Sequence, residues 1–138
     1  MRVPLSLLKS FVDISISPKA LADLMNGRIA EVEHVVSFPS REALADVCVA
    51  EASELLDGND DWQLWQFHVG GRQAAIVVGK KYNVQVGTRY AAICAGGKTP
   101  DGATVEARQV GGFESRGMLV SESMLGIGEE SASPLVFA

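Results

Sequence analysis

The chain has 138 residues, 47% hydrophobic and 21% charged, with a formal net charge of −5 at pH 7. That length supports one domain with a small appendage, burying about two-thirds of the unfolded surface. It contains no run of about 18 apolar residues to span a bilayer, and the acidic balance argues against a strong general nucleic-acid binder.

The opening Met-Arg-Val-Pro-Leu-Ser is too short an apolar run for a signal peptide. Residues 4–12 read as a short helix with Leu5, Leu8 and Val12 near one face. Ser17-Pro18 offers an N-cap followed by proline at the first helical position, which predicts a helix over 19–25 that stops at Asn26-Gly27. Ala30, Val32, His34 and Val36 then alternate with Glu31, Glu33 and Val35, which predicts a strand. Two small helices and a strand bury little alone, so residues 1–40 are expected to be an α/β appendage. Phe38-Pro39-Ser40-Arg41 is a linker.

Five short strands are predicted next, at 44–52, 62–69, 73–78, 89–94 and 104–110. Turn signals separate them: Asp57-Gly58-Asn59, Gly70-Gly71, Gly87 and Pro100-Asp101-Gly102. In 62–69, Trp65, Phe67 and Val69 share one face and Trp62, Leu64, Gln66 and His68 the other. The more apolar set is core. Residues 110–127 hold four glycines (Gly111, Gly112, Gly117, Gly126) with Ser115, Ser121 and Ser123 between them. This predicts a tight fold-back that buries Met118-Leu119-Val120 and leaves Ser115 and Arg116 at its rim. Phe67, Val78, Cys94, Leu119 and Val120 are expected in one core. Residues 128–134 read as an exposed connector, and Leu135-Val136-Phe137 as a last strand returning to pair with the appendage.

Charge is unevenly spread. Residues 72–116 hold seven bases (Arg72, Lys80, Lys81, Arg89, Lys98, Arg108, Arg116) against three acids (Asp101, Glu106, Glu114). Cys48 and Cys94 sit in apolar alternating runs and read as buried free thiols of a reducing cytoplasm. Neither His34 nor His68 has a Cys or carboxylate at ligand spacing, so no metal site is expected, and no cofactor either. Enzyme readings find no footing: no serine lies in a nucleophile-elbow context. Gly96-Gly97-Lys98-Thr99 lacks the spacing of a phosphate loop and runs into a turn rather than a helix.

The stretch Gly112, Ser115, Gly117, Met118, Ser121, Leu125, Gly126 resembles the Gly-x-x-Ser-x-Gly-Met-x-x-Ser-x-x-x-Leu-Gly signature of the EMAP-type tRNA-binding domain. The opening Met-Arg-Val-Pro-Leu-Ser-Leu-Leu-Lys-Ser-Phe-Val-Asp, with Ser-Pro and Glu-Val-Glu after it, resembles the N-terminal region of bacterial phenylalanyl-tRNA synthetase β subunits. The resemblance implies a mainly β fold, a five-stranded oligonucleotide/oligosaccharide-binding (OB) barrel at 41–127. A C-terminal connector and strand would follow at 128–138. It also implies a non-catalytic, cytoplasmic tRNA-binding module.

Several positions depart from the family pattern. The loop between the first two barrel strands, 55–62, carries Asp57, Asp60 and Asp61 and no base, which repels phosphate. The turn Gly79-Lys80-Lys81-Tyr82-Asn83-Val84 is longer and more basic than usual. Gly111 stands where the family often has Arg, and Met124 where it has an acid.

The RNA-binding candidates are Lys80 and Lys81 for phosphate, Tyr82 and Asn83 beside them, and Lys98. Ser115, Arg116, Met118 and Ser121 follow from the family motif, and Trp62 is a base-stacking platform or else a strand-end anchor. The competing expectation is a protein-docking module, held by a synthetase or a second copy of itself, with its RNA face vestigial. Neither reading involves a membrane.

Overall fold

A computed structural model describes residues 3–127 and 133–137. The chain divides into two units, Met1–Ser37 and Phe38–Ala138. The first holds α1 (Leu5–Phe11) and α2 (Pro18–Asn26). Ser17 caps α2 as its sequence suggests: its hydroxyl accepts from the Ala20 amide at 3.2 Å. Beyond α2 the predicted strand does not form. Residues 30–40 are irregular, and the Val32 amide instead donates to the Asn26 side chain at the helix end. Alternation alone does not make a strand, which needs a ladder partner for its backbone groups.

The second unit contains β1 (Cys48–Gly58), β2 (Trp62–Val69), β3 (Arg72–Gly79), β4 (Arg89–Cys94), β5 (Arg108–Val110), β6 (Phe113–Ser115), β7 (Gly117–Leu119) and β8 (Val136–Phe137). The main sheet runs β3-β2-β1-β4-β7, and every pairing in it is antiparallel. The Arg116 amide bonds the Ala75 carbonyl at 2.8 Å, bringing the last strand round to β3. The result is a nearly closed five-stranded antiparallel barrel, like an OB fold.

Two strands differ from expectation. β1 starts four residues later than predicted and runs on to Gly58, so most of the supposed acidic loop is strand, with irregularities in its pairing after Ala52 and Leu55. The fifth barrel strand is the fold-back itself, 113–119, and not 104–110. Thr104 makes only a bridge to Lys98, and β5 pairs with β6 in a separate hairpin. Gly117 explains the choice: a Cβ there would stand 2.8 Å from the Ile93 carbonyl oxygen. Only glycine lets β7 lie so close to β4.

Inside the barrel, Phe67 meets Tyr90 edge to face, centroids 6.1 Å apart, among Trp65, Ile76 and Val78. A second cluster of Ala91, Ile93, Val105, Val120 and Leu125 forms apart from it. The single core expected therefore splits. Phe67 and Val78 lie in the first cluster with Cys94 and Leu119 packed against it, while Val120 belongs to the second. The cause is the two-residue period of an extended chain, which sends Leu119 and Val120 to opposite faces. The closing strand also finds a different partner. Val136 and Phe137 pair with Tyr90 and Arg89 of β4, where an edge was open, and not with a strand of the first unit. Most of the expected connector, 128–132, lies outside the described residues. Among the described residues, no helix is long and apolar enough to cross a membrane.

Candidate nucleic-acid interface

β3 ends at Gly79 and passes into a single 3-10 turn, Lys80–Tyr82, closed by Asn83 in the left-handed region at φ 48°. Asn tolerates that conformation better than most side chains. The Lys80 amide donates to the Asp61 carbonyl at 2.9 Å, tying this turn to the loop before β2. Both lysines are exposed. The Lys81 ammonium stands 5.0 Å from the centre of the Tyr82 ring, a cation–π contact.

Trp62 opens β2 and is held by its loop. The Asn59 side-chain oxygen accepts from the Asp61 and Trp62 amides at 3.1 and 2.8 Å, and its amide group donates to the Gly111 carbonyl at 2.9 Å. The β1–β2 loop is thereby latched to the β5–β6 turn, and the indole rests on Gly111. Trp62 remains 37% exposed. It lines a hollow of about 160 Å³ with Tyr82, Met118, Leu119, Ser121 and Met124. Tyr82 also lines a neighbouring hollow of about 320 Å³, shared with Lys81, Asn83, Gln85 and Pro134.

The motif hydroxyls work inward. Ser115 is 3% exposed; its Oγ accepts from the Val77 amide at 3.0 Å and donates to the Gly117 carbonyl at 2.8 Å. It completes barrel closure at the point where the strand leaves β5 for β4. Ser121, 6% exposed, accepts from the Met124 amide at 3.3 Å and shares a 2.9 Å hydrogen bond with Ser123, capping the turn that follows.

No family model matches the chain. Curated proteins do. The phenylalanine–tRNA ligase β subunit of Symbiobacterium thermophilum is 33% identical over 137 residues, covering 99% of this chain and 15% of that protein. Its counterparts from Dechloromonas aromatica and Geobacter metallireducens are each 32% identical, covering 99% of this chain and 17% of theirs. This chain is similar to phenylalanine–tRNA ligase β subunits from end to end. It spans about one-sixth of their length.

Of the candidate residues, the fold brings Trp62, Lys81, Tyr82, Asn83, Met118 and Ser121 to the two adjoining hollows, with Lys80 beside them. Lys98 and Arg116 line neither. Lys98 lies in a loop whose backbone is held by the Asp46 carboxylate at 2.8 Å. In that loop the Thr99 hydroxyl, with the Ala103 amide second, holds the Asp101 carboxyl below its ordinary value. This is a self-contained turn and not a phosphate cradle. Arg116 is exposed and paired to Glu114 at 3.2 Å, and Arg89 is paired to Glu51 at 3.1 Å. Such exposed pairs contribute little to stability, but they occupy two of the seven bases.

Sequence reading missed Asn59, Gly79, Gly111 and Met124 as parts of the site. Asn59 directly after Asp57-Gly58 is an Asx-turn signal; Gly79, Gly111 and Met124 stood out only against the family pattern, as the start of the basic turn and as two departures from it. Cys48 and Cys94 are free thiols. Burial, and then the neighbouring Cys94, push the Cys48 thiol up to about 11, which keeps it protonated and unreactive near neutral pH. Among the described residues, no group of three His, Cys, Asp or Glu is placed to hold a metal ion.

Proposed function

We propose that this chain is a non-catalytic tRNA-binding module of the EMAP type, akin to the N-terminal region of phenylalanine–tRNA ligase β subunits and working in the cytoplasm. The observation that carries this reading is the exposed basic turn, Lys80-Lys81, set against an aromatic hollow on an OB-like barrel. Lysines neutralise phosphate without reading sequence, and exposed rings stack on unpaired bases. Arg116 and Lys98 would extend the track at its margins. Ser115 and Ser121 act through the fold, by closing the barrel and shaping the turn under the hollow.

Titration with bulk tRNA at increasing salt tests the reading. Affinity should fall with ionic strength at a slope set by a few phosphate contacts. Micromolar binding indifferent to salt would contradict the mechanism. Absence of binding even at low salt would favour a second reading, docking onto a synthetase or a second copy. One observation supports that second reading: Phe11 and Ile29 in the first unit are 78% and 79% exposed. Replacing Leu7 or Phe11 by a polar residue would then abolish association.

A further inference from the structure

We propose that the hollow between Trp62 and Tyr82 seats one unpaired nucleobase, whose phosphates lie on the Lys80-Lys81 side. This rests on the RNA-binding reading above and gives it a second contact, independent of charge.

Each ring is braced by a glycine. A Cβ on Gly111 would stand 2.3, 2.5 and 3.0 Å from Cδ1, Cγ and Cβ of Trp62, so the indole occupies the space a side chain would take. A Cβ on Gly79 would stand 3.4 and 3.5 Å from Cε2 and Cδ2 of Tyr82, an ordinary contact. Two aromatic side chains from separate elements are thus pre-set to line one hollow, with Met118, Leu119 and Met124 supplying apolar walls. Pre-set rings lose little conformational freedom when a flat ligand enters.

Charge decides between a base and any other flat apolar ligand. Lys81 lines the adjoining hollow, which shares Tyr82 as a wall, and the Lys80 amide is bonded to the loop that carries Trp62. A π-face joined to an anion satisfies both features. Asp57, Asp60 and Asp61 lie on or beside that same loop, and they direct the phosphates away from it, toward the lysine turn.

Tryptophan fluorescence reads the seat directly. Trp62 and Trp65 are the only tryptophans, and Trp65 is buried with its indole N–H on the Gln63 side chain at 3.1 Å. Hexauridylate should quench the emission and inorganic polyphosphate, which offers charge without bases, should not. Gly111→Ala and Gly112→Ala both place alanine at positive φ, 58° and 91°, but only the first meets Trp62. Gly111→Ala should therefore weaken hexauridylate binding about tenfold, the worth of one stacked base, with Gly112→Ala within about twofold of wild type. Trp62→Ala, free of backbone strain, should match Gly111→Ala and covers the case in which that variant misfolds. Equal binding by Trp62→Ala and wild type, or equal quenching by polyphosphate, would overturn the seat. If wild-type protein binds tRNA with full salt dependence yet shows no quenching, the seat fails and the RNA reading stands. If tRNA does not bind at low salt, both fail.

Discussion

The fold-back at 113–121 and the turn at 79–84 border the same hollow, yet they spend their polar side chains in opposite ways. Ser115 and Ser121 are buried, and their hydroxyls are committed to the barrel's own amides and carbonyls. Lys80, Lys81 and Asn83 are exposed, and their backbone, not their side chains, holds the turn. A polar residue in a binding motif thus has two uses, closure or contact. Only its exposure and its hydrogen-bond partners say which.

Four substitutions or conditions can break or sharpen this contrast. Phe67→Ala empties the centre that both stretches surround, and should lower unfolding stability by about 3–5 kcal/mol in denaturant titration. It serves as the ceiling for a purely structural effect. Ser115→Ala leaves the Val77 amide without its partner and should lower stability by about 1–3 kcal/mol, with tRNA affinity of the folded fraction unchanged. A loss of affinity at unchanged stability would make Ser115 a contact residue and erase the distinction. Changing Lys80 and Lys81 together to Glu should do the reverse. Local charge swings by four units, tRNA binding is lost, and stability moves by no more than about 0.5 kcal/mol.

The last effect concerns Cys48, which packs against the same core cluster as Tyr82 and Leu119 but lines neither hollow. Its folded-state pKa is raised from 9.0 to about 11, so the unfolded chain ionises first as pH rises. The stabilisation it provides is whole below pH 9 and is lost between pH 9 and 11. Melting temperature should therefore fall more steeply over that window in wild type than in Cys48→Ala.

The separate legibility of these parts follows from what each depends on. Local chemistry was readable. Ser17-Pro18 capped its helix, Gly70-Gly71 turned its hairpin at φ 53° and 82°, and Trp65 and Phe67 faced the core as their alternation required. Residues 30–36 had the same alternation and formed no strand, because pairing depends on a partner that no local pattern can supply. The site divides the same way. The basic turn and its tyrosine were visible as a run of four residues, whereas the Trp62 seat needs Asn59 and Gly111, 52 positions apart, to meet.

By itself the sequence determined a β-rich chain with capped short helices, glycine turns and a lysine pair beside an aromatic ring, since each rests on the dihedral and hydrogen-bonding preferences of near neighbours. Tertiary structure alone decided that 113–119 and not 104–110 closes the barrel, that Val120 leaves the core of Phe67, and that Ser115 turns inward. Those outcomes depend on Gly117 admitting a backbone within contact of Ile93, and on which buried amide lacked a partner. Both are properties of chain segments brought together from far apart, and neither exists until the barrel closes.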